Sequence, residues 1–406
     1  MEYKTSKIGL SALALGHLTV DMQTSSLAVM IPFLYATFKL DYGAAALIIT
    51  LNSLTSSFIQ PLFGILSDKK PLAWLLPLGC VMAAVGMVLV LFMPDYWLVL
   101  LAVIFSGLGS AAYHPEGSRN ANYVSGPNKA TGVSFFFVGG NLGFTLGPIY
   151  LTFMVAIFGT PGALALLIPG AIGFLALLRL QPLLSRYRAA AVARQIGKKK
   201  TRVIVSNGQS VRVTMAILMG VISLRSVIQT GMVAFIPLYF VTQAGGKEYG
   251  AFLLSAFLFA GAAGTLLGGR LADTLGTRTI MIGSMLITFA TLLVFLNSSG
   301  FIQVISLAIA GAALISASSL TVVMAQATMP DNIGLASGLT LGLGFGAGGL
   351  GAAALGKYAD FAGLGQTLFV IALLPLGVMF LSWLLHPEEK EPQVVTPDQV
   401  SASVRG

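Results

Sequence analysis

The chain has 406 residues, of which 56% are hydrophobic and only 9% are Asp, Glu, Lys or Arg, with a formal net charge of +9. That balance excludes an ordinary soluble assembly of domains and marks a membrane protein. The positive charge does not mark a nucleic-acid binder either, because nine of the 23 Lys and Arg fall in one run between Arg179 and Arg212 that carries a single aromatic, Tyr187.

Crossing ~30 Å of hydrocarbon takes about 20 apolar residues in a helix. Twelve such runs can be marked off, at 8–38, 42–66, 72–93, 97–122, 127–155, 161–183, 212–243, 248–272, 277–296, 300–328, 333–356 and 363–386. The predicted fold is therefore an all-α polytopic membrane protein: a first six-helix bundle over 1–183, a basic linker over 184–211 and a second bundle over 212–386. The polar tail, 387–406, is expected to be disordered. Lys69, Lys70, Lys129, Arg270 and Arg278 fall at connections on the linker's side, against Lys39, Lys247 and Lys357 opposite. Positive residues stay inside, so the linker and both termini are expected on the cytoplasmic face of the inner (plasma) membrane, with anionic lipid as a secondary contact of the basic run. The start, Met1-Glu2-Tyr3-Lys4, lacks a cleavable signal pattern. Cys80, the one cysteine, reads as packing.

In the first helix His17 and Asp21 stand one turn apart and share a face. The second ends in Gly64-x-x-x-Asp68-Lys69-Lys70. The fourth carries His114-Pro115-Glu116-Gly117-Ser118-Arg119, the most polar string inside an apolar segment of this chain. A charge placed in hydrocarbon costs about 2.5–3.5 kcal/mol, so such a string needs partners, water or a task. Glu116 and Arg119, three apart, can pair if Pro115 and Gly117 leave the helix intact. The fifth helix holds Gly139-Gly140-Asn141-x-Gly143-x-x-x-Gly147-Pro148, whose glycines permit close crossing and whose proline removes a helical hydrogen bond.

In the second half, Arg225 and Gln229 lie in the seventh helix, and Gly269-Arg270-x-x-Asp273-x-x-Gly276-x-Arg278 follows the eighth. Gln326 lies in the tenth helix, and a proline-free glycine run from Gly344 to Gly351 in the eleventh. One constant offset of 205 aligns Pro32 with Pro237, Gly64 with Gly269, Asp68 with Asp273, Gly139 with Gly344 and Gly143 with Gly348. Six spans separate the copies, so the halves cross the membrane in the same sense and form two parallel repeats. Arg225, moved back by 205, falls beside Asp21 at Val20, which makes an Asp21–Arg225 ion pair across the centre an expectation.

Asp21 and Glu116, with His17 and His114, are the proton-coupling candidates, since burial and a partner that changes between conformations let a carboxyl load and release a proton. Arg119, Arg225, Asn141, Gln229 and Gln326 are the substrate-binding candidates, the guanidinium forks suiting an anion's oxygens. The His17–Asp21 pair is a weak metal signal, and no phosphate-binding loop or serine nucleophile elbow is present. No cofactor, metal or enzymatic activity is expected; the economical reading is a monomeric carrier of a small molecule driven by protons.

The paired Gly-x-x-x-Asp segments resemble the loop signature of the major facilitator superfamily. That resemblance implies that Asp68 faces the helix starting near Gly334 and Asp273 the one starting near Pro127, with Gly64, Gly269 and Arg278 sharing a conformational gating role. The Gly143, Gly147 and Pro148 pattern resembles the superfamily's antiporter signature. More narrowly, Gly16-His17-x-x-x-Asp21, His114-Pro-Glu116-Gly-Ser-Arg119, Val138-Gly-Gly-Asn141-x-Gly143 and Phe345-Gly-x-Gly-Gly-x-Gly are similar to the fosmidomycin resistance proteins, a bacterial drug-efflux family. The resemblance implies export of a small phosphonate in exchange for protons. Electrostatics leaves proton symport of an organic anion or sugar-like solute open beside it.

Overall fold

The computed structural model describes residues 4–70, 72–201, 210–241 and 246–385. The tail from His386 onward and residues 202–209 of the basic run lie outside them. Among the described residues the chain is helical throughout, with thirteen α-helices and a 3₁₀ turn. They are α1 (Lys7–Thr37), α2 (Tyr42–Phe58), α3 (Gln60–Lys69), α4 (Leu75–Val90), α5 (Tyr96–Val124), α6 (Lys129–Phe158), α7 (Leu167–Thr201), α8 (Val211–Val241), α9 (Gly246–Leu275), α10 (Thr277–Leu296), α11 (Gly300–Thr328), α12 (Ile333–Ala362) and α13 (Leu364–Trp383). Since α2 and α3 form one span interrupted at Ile59, the described residues hold twelve helical spans, ten of them long and apolar enough to cross a membrane by length and composition alone.

Local chemistry sets these boundaries. Ser6, Asp41 and Asp95 cap α1, α2 and α5, each side-chain oxygen accepting a backbone N–H of the first turn. Pro61 sits in the first turn of α3, where its missing N–H costs nothing, and this places the break in the second span. Gly276 and Gly363 adopt φ of 91° and 86° ahead of α10 and α13, a region open to glycine. Pro115 and Gly117 do not open α5, which stays helical through the whole polar string. α7 passes beyond the apolar run at 183 and carries the first basic residues of the linker as helix.

The repeat is visible in the packing. α1 lies along α6, and 205 residues later α8 lies along α12. On α6 the glycines are spaced to meet successive carbonyls of α1: a Cβ on Gly139, Gly143 or Gly147 would stand 2.0, 2.3 and 2.3 Å from the oxygens of Ala14, Leu18 and Met22. The helices therefore touch backbone to backbone, the arrangement that small residues allow where lipid supplies no hydrophobic drive. α6 runs unbroken past Pro148 to Phe158.

Enlarging Gly139 to Leu pushes a side chain into the Ala14 carbonyl, and overpacking of this kind costs about 1–3 kcal/mol. We expect Gly139→Leu to lower the thermal unfolding midpoint in detergent, and Gly283→Ala, where a Cβ meets nothing within 4 Å, to leave it unchanged.

Candidate functional site

Three residues from two helices converge near the α1–α6 crossing. The Nε2 of His17 lies 3.2 Å from Oδ2 of Asp21, and the Nε2 of His114 on α5 lies 3.1 Å from Oδ1. All three are buried. The other nitrogen of each ring is also held: Nδ1 of His17 is 2.8 Å from the Phe136 carbonyl oxygen, and Nδ1 of His114 is 2.8 Å from that of Ser110. His17 stacks on Phe136 with ring centroids 4.1 Å apart. Gly140 closes one side, where a Cβ would intrude to 2.5 Å from His17 Nε2 and 2.7 Å from Asp21 Oδ2. Gly16 leaves room for the Tyr113 hydroxyl, which donates to the Leu13 carbonyl at 2.5 Å.

Glu116 belongs to a different system. Its Oε2 accepts from Nη2 of Arg119 and its Oε1 from Nδ2 of Asn120 at 2.8 Å, with Nη1 of Arg188 3.9 Å away. Arg119 also donates to the Ser67 carbonyl and, at 3.1 Å, to Oδ1 of Asp68. Asp68 in turn accepts from the N–H groups of Gly334 and Leu335 at 2.8 Å each, at the start of α12 in the other half. A carboxylate on a helix N-terminus gains from the unpaired N–H groups and the dipole together. Gly64 lets α3 approach, since a Cβ there would stand 2.3 Å from the Gly334 carbonyl.

The repeat produces a second latch. Asp273 accepts from the N–H groups of Ala130 and Thr131 at 3.0 and 2.8 Å and from the Thr131 hydroxyl at 2.6 Å, at the start of α6. Gly269 packs on Ser134 and the Ala130 carbonyl. Between the two latches, Gln326 donates to the Ser118 hydroxyl at 3.0 Å and accepts from Asn122 at 2.7 Å, and Ser134 meets Ser319 at 2.7 Å. These contacts bind the halves to one another on the linker face. Arg278 stays within its own half and donates to the Ser382 and Trp383 carbonyls at the end of α13, whose last carbonyls lack helical partners.

Arg225, 7% exposed, donates to Gln229 at 2.9 Å and to Ser318 at 2.7 Å, with Ser226 at 3.4 Å. Its Nε has no hydrogen-bond partner. Among the described residues every group it meets is neutral.

One expectation needs correction. Asp21 and Arg225 do not pair: both carboxylate oxygens of Asp21 are engaged by histidines, which satisfy the charge from within its own half. The proton-coupling candidates Asp21 and Glu116 lie in separate systems, because His114 and Glu116 leave α5 toward different neighbours. Arg119, a substrate-binding candidate, is held between two carboxylates, Asp68 and Glu116. Asn141 is half-buried on α6, beside the triad's Gly140.

Asn120, Arg188, Ser110 and Ser318 escaped the sequence reading. Asn120 stands four residues after Glu116, so the helical spacing rule contained the signal. Arg188 was assigned to the linker because the apolar run ends before it, and nothing local places Ser110 or Ser318.

Removing the charge at Asp68 should loosen the latch and leave Arg119 with one carboxylate fewer, a loss of about 1.5–3 kcal/mol for a charged hydrogen bond. In a Cys80→Ala, Ser337→Cys background, Asp68→Asn should speed labelling of the buried position 337 by a water-soluble maleimide at least several-fold. An unchanged rate would show that Asp68 does not hold the halves together.

The chain matches the model of the Major Facilitator Superfamily over residues 13–252 and 246–404. It is 33% identical over 385 residues to the fosmidomycin resistance protein of Escherichia coli (strain K12), covering 94% of each chain. It is 34% identical over 378 residues to the uncharacterized MFS-type transporter YfnC of Bacillus subtilis (strain 168), covering 92% of this chain and 91% of that one. Among solved structures it shares the fold of the E. coli fucose:proton symporter, with a TM-score of 0.69 and 13% identity over 94% of this chain and 99% of that one. It likewise shares the fold of the proton:xylose symporter bound to 6-bromo-6-deoxy-D-glucose, with a TM-score of 0.72 and 13% identity over 94% and 96%. Two parallel six-helix repeats, latched by a carboxylate of each half on a helix start of the other, and a family match across both halves lead to one conclusion: this chain is a transporter that belongs to the Major Facilitator Superfamily.

Proposed function

We propose that this transporter exports a small anionic compound of the fosmidomycin type in exchange for protons, by alternating access between its two halves. The observation that carries the reading is Arg225. A guanidinium buried at transmembrane depth with only neutral Gln229, Ser318 and Ser226 around it is costly unless an anion completes it. Its planar fork suits the oxygens of a phosphonate or carboxylate. The efflux role is supported by the relative that shares a third of its residues and is named for fosmidomycin resistance. Gln229 orients the guanidinium from one turn away.

Proton coupling is assigned to Asp21 with His17 and His114, the one carboxylate in the described interior whose side-chain partners are histidines. Glu116 keeps Arg119 on Asp68. The interbundle seam, with Asp68, Asp273 and Gln326, opens and closes as the halves rock; Gly64, Gly269, Gly143, Gly147 and Pro148 supply the close helix contacts that this motion needs, and Arg278 steadies α13. The distribution of Lys and Arg supports a cytoplasmic linker, and the reading takes the protein as a monomer in the inner membrane.

A second reading, proton symport of an organic anion, is favoured by one feature. Protons on the triad add positive charge to the interior and strengthen an anion's hold there, so proton and substrate would bind together. Exchange requires instead that they compete.

Flux in proteoliposomes under an imposed pH gradient separates the two. Fosmidomycin should move against the direction of proton movement; co-directional movement would establish symport. Arg225→Gln should weaken fosmidomycin binding about ten- to a hundredfold, the worth of a charged hydrogen-bond pair, with Arg225→Lys intermediate. Equal binding by the wild type and Arg225→Gln would remove the arginine from the substrate site.

A further inference from the structure

Hydrogen-bond accounting at the triad fixes more than the presence of a proton. A backbone carbonyl offers no donor, so each Nδ1 that lies 2.8 Å from one must carry the hydrogen. The Ser110 hydroxyl, 3.2 Å from His114 Nδ1, can accept from the same N–H. With both Nδ1 atoms protonated, a neutral His17 and a neutral His114 each turn a bare Nε2 lone pair toward Asp21. The two Nε2···Oδ contacts, at 3.2 and 3.1 Å, go to different oxygens of one carboxylate. An ionised carboxylate is acceptor-only, so neither contact is a hydrogen bond until a proton lies in it.

Among the described residues nothing else nearby supplies those protons. Tyr113 on α5 spends its hydroxyl hydrogen on Leu13, and α6 presents the Phe136 carbonyl, the Phe137 ring and Gly140. Cys80 on α4 accepts from Thr19 rather than reaching the triad. Glu116, two residues after His114, is turned to Arg119 and Asn120. Among the described residues no Lys or Arg forms an ion pair with Asp21, and Arg225 is engaged by its own half.

We infer that the His17–Asp21–His114 triad binds two protons, one in each Nε2···Oδ contact, when the halves are latched on the linker face. The balance is explicit: an ionised Asp21 and two neutral rings carry one negative charge, and two added protons leave the triad with one positive charge. Each proton sits on a ring as imidazolium or on the carboxyl oxygen, and either placement satisfies its contact. With one proton, one buried lone pair faces another. The two protons are thus a property of this conformation, and separating α5 from α1 removes the geometry that requires the second.

The inference deepens the proton-coupled reading above and can fail separately from it. The chain has three histidines, so a His386→Gln variant labelled with 15N-histidine and 13C-aspartate leaves the rings of His17 and His114 alone in the nitrogen spectrum. In lipid at neutral pH, the protons counted on the two rings and the Asp21 carboxyl should total four, two on Nδ1 and two shared with Asp21. A total of three or fewer overturns the inference. In Asp21→Asn the new amide can donate to one Nε2 and accept from the other, so one ring should become neutral while its partner stays an imidazolium; two imidazolium rings there would overturn it as well. Where that variant fails to fold, the count in the unsubstituted triad decides. A total of four in a protein whose fosmidomycin flux ignores the pH gradient would uphold the inference and defeat the proton-coupled reading.

Discussion

A charge taken into hydrocarbon has to be answered within hydrogen-bond reach, and this requirement sorts the interior of the transporter into systems that share few partners. Asp21 is answered by two histidines. Asp68 is answered by Arg119 and the start of α12, and Arg119 by Glu116 in addition. Asp273, exposed on the linker face, is answered among the described residues by the start of α6. Arg225 receives only neutral dipoles. Of the buried Asp, Glu and Arg side chains among the described residues it is the one with no ionisable partner, and that asymmetry separates what the protein keeps for its own architecture from what it leaves for a ligand.

The repeat sharpens this distinction. Gly64 and Gly269, and Asp68 and Asp273, do the same thing at equivalent places: a glycine brings a helix close and a carboxylate caps a helix of the other half. Chemistry that the repeat does not copy lies elsewhere. The positions 205 residues after His114, Glu116 and Arg119 are Ser319, Thr321 and Met324. The latches are thus symmetric in backbone geometry and unequal in electrostatics, since only the Asp68 latch is tied to a buried arginine.

Much of the architecture was legible because its causes are local or periodic. The twelve spans follow from apolar length and the repeat from one constant offset, whereas the latch partners came with the resemblance of the paired Gly-x-x-x-Asp segments to the major facilitator superfamily. The His17–Asp21 pairing followed from a four-residue spacing on one helix. The third member of that triad did not, since bringing His114 to Asp21 depends on how α5 leans against α1, and no spacing within α5 encodes it. The Asp21–Arg225 expectation failed for a related reason. Equal depth on symmetric helices makes two charges comparable in position without making them neighbours, and a histidine on an adjacent helix was nearer. Arg188 was out of reach because the apolar count stops where the hydrocarbon stops, whereas the α7 helix continues.

The triad and the Asp68 latch are separate in contacts but not in covalent structure. His114 and Arg119 belong to one uninterrupted helix and lie five residues apart, a little over a turn. A rigid helix cannot withdraw His114 from Asp21 while leaving Arg119 undisturbed on Asp68 and the Ser67 carbonyl of α3. Moving α5 far enough to break the 3.1 Å contact at one end acts on the hydrogen bonds at the other. Each state of the triad therefore carries a preference for a position of α5, and each position of α5 carries a preference for the latch engaged or released. The coupling needs no long relay of side chains. It needs only that one element have two positions and that both sites bias the same choice between them.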